Sequence, residues 1–255
     1  MSQLAAAIRF LTRVPVGAGD PAEEDLAGSV PWFPVVGAMI GVTVAASYAL
    51  LLWVVPDLLA AALATAVGVL ISGALHEDGL ADTADAFGAG VNREETLRIM
   101  KDPTHGSFGV IALVLTLMLR VLALGALDAM SALLMVPAIH ALSRAGAVTL
   151  LAALPAATGD GLGAAHSHAR SARSALAGSV AAIGIAMTLL GWWALAFVFI
   201  AGAGALLVGT IAKRRISGFT GDVLGATEQV IEIGLFILGA ALGQAVFLSG
   251  PWWSS

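Results

Sequence analysis

The sequence predicts an all-α fold, a polytopic bundle of membrane-spanning helices, and three observations predict it. Hydrophobic residues fill 59% of the 255 positions and charged residues only 11%, whereas a soluble domain carries about 25% charged residues. Mean hydropathy is +0.94. The apolar residues also fall into runs close to the ~20 residues that cross a bilayer as helix. The chain reads as one membrane-embedded domain over residues 1–255, with the chemistry-bearing side chains gathered in a connection over residues 76–109.

The first element is Ser2–Val14, in which Leu4, Ile8 and Leu11 share a face while Arg9 and Arg13 lie elsewhere. That pattern suits a short helix lying in the membrane interface. Its apolar core is too short for a secretory signal, and no small-residue cleavage site follows. Pro31 and Pro34 bracket the entry to the first span. Seven spans are expected, at roughly Phe33–Val55, Leu58–Leu75, Val110–Leu127, Ala132–Leu154, Leu176–Gly191, Ala194–Ala212 and Ile233–Leu248. The stretch Leu176–Ala212 is divided at Gly191-Trp192-Trp193 because tryptophan favours the interface; one tilted helix is the alternative.

Orientation follows from the basic residues. Arg9 and Arg13 precede the first span, Arg93, Arg98 and Lys101 lie in the second connection, Arg170 and Arg173 in the fourth, and Lys213, Arg214 and Arg215 in the sixth. The remaining connections and the tail have no lysine or arginine. By the positive-inside rule the N-terminus and the connection over 76–109 are cytoplasmic.

Composition excludes several functions. There is no cysteine, hence no disulfide and no thiolate metal site. The net charge of −5 arises partly from the acidic stretch Asp20–Asp25 and gives no general attraction to nucleic acid. Neither a P-loop nor a zinc-hydrolase pair of histidines occurs. No internal repeat is evident, and homo-oligomerisation is left open. His166, His168, Arg170 and Arg173 form a basic connection that attracts nucleotide or anionic lipid, or serves only to set topology.

The most informative residues are Asp78, Asp82 and Asp85, at i, i+4 and i+7. At helical pitch they project from one stripe. Like charges so placed repel by about 0.2–0.5 kcal/mol per pair, more beside a low-dielectric membrane unless a cation offsets them. Oxygen ligands without a complete protein cage suit Mg²⁺, which keeps positions for water and substrate phosphate. A solvated acidic helix is the plainer reading. Asp222, Glu228 and Glu232 form a second acidic group ahead of the last span, which equally reads as a helix start with acids near the positive dipole end. Arg120 and Arg144 fall near the middles of their spans. An arginine facing lipid there costs at least ~2.5 kcal/mol, so both should face protein or a cavity. Lys101 and Asp102 are placed for phosphate and metal, or for a surface ion pair.

These residues resemble a known family. The run His76–Gly88, the stretch Ile99–Asp102 leading to Gly106-Ser107-Phe108-Gly109, and Gly218–Ala226 look like cobalamin synthase, the adenosylcobinamide-GDP ribazoletransferases. Phe10–Pro15, Phe33–Gly37 and His140–Arg144 resemble further parts of that family in the same order. Glu77 stands where an apolar residue is expected, and Pro103-Thr104 departs from the usual wording of the loop.

The resemblance implies a Mg²⁺-dependent transferase of the bacterial inner membrane, or its archaeal equivalent, working at the cytoplasmic face. It would transfer the adenosylcobinamide phosphate group from adenosylcobinamide-GDP to α-ribazole or α-ribazole 5′-phosphate, giving adenosylcobalamin or its 5′-phosphate and GMP. Asp78, Asp82 and Asp85 would hold metal. Asp85 would alternatively take the proton of the ribazole 5′-hydroxyl, or, with the 5′-phosphate as acceptor, a phosphate oxygen would attack and need no base; Asp82 and Lys101 would also be catalytic, and Arg144, Asp102, Asp222 and Glu228 would contact substrate. Two other readings stay in view: a CDP-alcohol phosphotransferase, which also sets aspartates on helices at the membrane surface, and a cation or solute transporter. A transporter would favour acids near the midplane and inverted repeats.

Overall fold

A computed structural model describes residues 2–16, 23–158 and 168–243, and its elements are all helical apart from an isolated parallel bridge between Ala156 and Phe219. Eleven α-helices follow in order among these residues: α1 (Gln3–Leu11), α2 (Glu23–Ser29), α3 (Phe33–Leu51), α4 (Asp57–Ser72), α5 (Leu75–Ala89), α6 (Arg93–Met100), α7 (Ser107–Gly125), α8 (Ala129–Ala153), α9 (His168–Leu190), α10 (Ala194–Ile216) and α11 (Gly221–Leu242). Parts of the acidic and basic connections, and the expected end of the last span at Leu248, lie outside the described residues.

Helix starts are written locally in the sequence. Asn92 caps α6 by accepting from the Glu95 amide at 2.9 Å. Asp128 caps α8 through the amides of Met130 and Ser131, both at 2.9 Å. Thr220 caps α11 through Val223 at 3.3 Å. Each satisfies a backbone donor that the helix itself leaves free.

Helix α8 is the centre of the bundle, with α3, α9, α10 and α11 packed round it. Its approach to α3 depends on small residues. A Cβ on Gly37 would strike the His140 carbonyl and the Arg144 side chain, so glycine lets the backbones meet closely, as membrane helices without a hydrophobic drive between them require. The Tyr48 hydroxyl then donates to the Leu127 carbonyl at 2.8 Å, fastening the far end of α3 to the α7–α8 turn. Large apolar side chains remain exposed on α7 and α10, among them Val114, Phe199 and Leu206. A stable bundle with such faces is solvated by lipid.

By length and composition, five helical segments qualify as spans, or six if the bent pair α4 and α5 counts as one. Two of the expected spans, Leu58–Leu75 and Ile233–Leu248, are placed differently. Leu58–Leu75 does not run on: Gly73 and Ala74 take the left-handed conformation at φ 65° and 59°, and α5 leaves α4 at 89°. The aspartate helix is therefore turned away from the spanning direction. The stretch from Ala172 to Ile216 qualifies as one segment of 45 residues, yet it reverses at Gly191, where φ is 57°. Ser179 from its first half lies beside Thr149 of α8, and Gly209 from its second half presses on Leu150 one residue further. The last helix starts at Gly221, twelve residues ahead of the expected Ile233. Glu228 and Glu232 consequently sit inside a helix and not at its entrance.

Candidate active site

Helix α5 carries acids on two faces, and the fold gives them opposite fates. It crosses α11 where Gly79 meets the start of that helix: a Cβ on Gly79 would lie 2.8 Å from the Asp222 carbonyl oxygen. That contact brings Asp222 to Asp78 and Asp82, so three carboxylates from two helices converge at the end of the bundle where α7 and α11 begin. The Asp78 side chain is 66% exposed and that of Asp82 18%. His105, from the segment between α6 and α7, reaches over them, its Nδ1 3.4 Å from Asp82 and its Nε2 4.0 Å from Asp78. Burial, then the neighbouring charges of Asp78 and Asp222, push the Asp82 carboxyl up to about 6. The cluster is short of positive charge.

Asp85, a turn further on, is buried and engaged. Its two oxygens accept the backbone amides of Gly106 at 2.6 Å and Gly109 at 2.9 Å. Those are free donors at the start of α7, so Asp85 caps a helix from outside the chain's local sequence. Asp102 is likewise occupied, by the Thr104 amide at 3.0 Å and hydroxyl at 2.6 Å, and shapes its own loop. Lys101, exposed at the end of α6, lines a cleft of about 200 Å³ together with Met100, Thr158, Thr220 and Asp222. Asp222 also borders a second cavity of about 250 Å³, shared with Asp78, His76 and Arg144.

The other face of α5 enters a buried ionic network. Glu77 meets Arg120 of α7 at 3.1 Å. Arg120 meets Glu232 of α11 at 3.1 Å and also donates to Gln229. Arg144 of α8 meets Glu232 at 2.9 Å and stands against Glu228, which the Ser143 hydroxyl and Gln229 amide also approach at 3.1 and 2.8 Å. His140 lies 3.2 Å from Glu232. Arg144 is 3% exposed and Glu228 fully buried. Among the described residues, His140, Glu228 and Glu232 are near enough to share a metal ion. Two guanidiniums already lie against those carboxylates, so the cluster reads as an ion network that ties α5, α7, α8 and α11 together.

Of the residues selected from sequence, the fold thus brings together Asp78, Asp82, Asp222 and Lys101. It places Arg144 and Glu228 in the buried network, where Arg144 still borders the larger cavity. Sequence reasoning gave Glu77, Gln229 and His140 no role. The available signal was the pair of mid-span arginines, Arg120 and Arg144, with the acids Glu77 and Glu232 just beyond the ends of expected spans to neutralise them.

Fold and site together define a multi-pass membrane enzyme with an acidic cluster on a helix turned out of the spanning direction. The comparisons narrow this. The family model for cobalamin-5-phosphate synthase matches residues 3–241, and the chain belongs to that family. It is 41% identical over 245 residues to the adenosylcobinamide-GDP ribazoletransferase of Rhizobium etli, covering 90% of this chain and 92% of that one. The protein of the same name from Bradyrhizobium diazoefficiens is 38% identical, with 94% of each chain covered. That from Chlorobaculum tepidum is 37% identical over 100% of this chain and 99% of its own. No solved structure matches.

Proposed function

We propose that this protein transfers the adenosylcobinamide phosphate group from adenosylcobinamide-GDP to α-ribazole or its 5′-phosphate, forming adenosylcobalamin or adenosylcobalamin 5′-phosphate and releasing GMP. Family membership and the names of the relatives support the reaction. The observation that carries its location is the convergence of Asp78, Asp82 and Asp222 beside two cavities. The basic connections support a cytoplasmic site at the inner membrane.

An oxygen donor set that is short of positive charge fits a hard divalent cation. Asp78 and Asp82, with Asp222 adjacent, are the residues that would hold Mg²⁺. Such an ion supplies neutralisation of the pyrophosphate and of the departing GMP oxygen. The chain's own groups do the rest. Lys101, sharing its cleft with Asp222, meets phosphate charge. Asp85 fixes the turn into α7 and with it the segment that carries His105. A ribose hydroxyl oxygen bonds to the cobinamide-linked phosphorus as the bond to the GMP oxygen breaks. GMP leaves with the electron pair, and Asp222 receives the hydroxyl proton. Because a 5′-phosphate on the acceptor survives in the product, the attacking oxygen is another ribose hydroxyl than the 5′. This replaces both the 5′-hydroxyl and, for the 5′-phosphate, the phosphate oxygen expected from sequence. Arg144 acts on substrate only as part of the wall of the cavity of about 250 Å³, and Glu228 only through Arg144, against which it stands.

The test is GMP release by the purified protein in liposomes, given adenosylcobinamide-GDP, α-ribazole and Mg²⁺, beside an Asp82→Ala variant and a metal-free control. GMP and a cobalamin product with wild type and metal alone are the expected result. Their absence from folded wild-type protein overturns the reading, and equal release by Asp82→Ala overturns the placement of the site.

A further inference from the structure

The cavity of about 250 Å³ beside Asp78 and Asp222 has walls that the reaction's acids do not explain. Phe10 of α1 and Phe33 of α3 stand there with ring centroids 5.4 Å apart and planes 11° from parallel. Leu11, Val30 and Val148, each about 2% exposed, complete an apolar lining with Ala147 and Leu151. Four polar side chains also border it: His76, Arg144, Asp78 and Asp222. Arg144 keeps its Nε without a partner although the side chain is buried.

We propose that this cavity binds the flat heteroaromatic base of the ribazole acceptor, with the base against Phe10 and Phe33 and the ribose at Asp78 and Asp222. The assignment rests on the transferase reading above and adds which substrate enters where. Size is the first argument. The cavity falls below the ~300–1,000 Å³ of pockets for drug-sized ligands, so it accommodates one bicyclic base and not a corrin macrocycle. Chemistry is the second: aromatic faces hold nucleobases by stacking, and an apolar lining with a few polar groups suits a nucleoside rather than a phosphate chain. Position is the third. Asp222 borders both this cavity and the Lys101 cleft, so an acceptor ribose and a nucleotide phosphate would meet at one carboxylate. A third cavity, of about 490 Å³ between α8, α9 and α10, has Lys213 as the only charged residue of its lining among the described residues and none of the aspartates, and cannot present an acceptor to them.

The experiment uses full-length protein in liposomes and the GMP-release assay. Ala147→Phe fills the cavity and replaces none of its acids. It should raise KM for α-ribazole about tenfold or more, while KM for adenosylcobinamide-GDP stays within about twofold of wild type. An acceptor with a smaller, single-ring imidazole base should suffer less from the same change. Phe10→Ala, which removes one wall at the edge of the bundle, should raise the ribazole KM severalfold and decides the matter if Ala147→Phe does not fold. Unchanged acceptor KM in a variant that turns over, or an equal rise for both substrates, overturns the placement while leaving the transferase intact. Failure of wild type to release GMP overturns both.

Discussion

The two faces of helix α5 bear acids of the same kind and do opposite work. On one, Asp78 is exposed and Asp82 partly so, with His105 and Asp222 as neighbours. On the other, Glu77 is 6% exposed and paired with Arg120. The difference is one of compensation. A carboxylate among lipid-embedded helices persists only when a guanidinium or hydrogen-bond donors replace the water it has lost. A carboxylate at the surface can stay under-neutralised and await a cation. Charge left open marks the reactive face, and charge closed marks the scaffold.

The largest effect should come from opening the closed face. Glu232→Ala strips a partner from Arg120, Arg144 and His140 at once and should cost about 3–5 kcal/mol. Thermal unfolding of the detergent-solubilised protein, followed by size exclusion, reads it. An unshifted midpoint would mean the network does not hold the bundle.

Next is the open face. Asp82→Asn should leave that midpoint unchanged or raise it, because it removes a repelled charge, and should lower GMP release at least about 100-fold. A midpoint lowered as far as in Glu232→Ala would erase the distinction between the faces. Asp85→Asn lies between them. It weakens two backbone hydrogen bonds to a charged acceptor, worth about 1.5–3 kcal/mol for an interaction of that type, and should lower stability and turnover together.

Gly79→Ala probes the crossing that assembles the open face, since its Cβ would meet the Asp222 backbone. Overpacking of about 1–3 kcal/mol is expected, with GMP release falling more than stability as Asp222 moves from Asp78. The smallest effect is that of pH. Asp82, pushed up to about 6 in the cation-free protein, is ionised at pH 7 and protonated below about 6. Its folded value lies above the ordinary 3.8, so the cation-free fold loses stability as pH rises from about 4 through 6. Mn²⁺ affinity should change the other way, falling by up to about tenfold per pH unit below about 6. Titration of Mn²⁺ binding checks this, and an affinity independent of pH would remove Asp82 from the ligand set.

Much of this molecule was legible in its residues because each signal was local. Apolar runs locate the spans, and the i, i+4, i+7 aspartates share a stripe whatever surrounds them. The order of motifs also disclosed the family. What the sequence could not supply was which acids meet a partner. Asp85 reads as the equal of Asp78 until the start of α7 is folded against it, and Glu77 reads as an anomaly until Arg120 arrives from 43 residues away. Asp222 joins the aspartates only because Gly79 admits the start of α11. Periodicity fixes the direction in which a side chain leaves its own helix; the neighbour that neutralises it, or leaves it open for catalysis, is set by how separate helices pack.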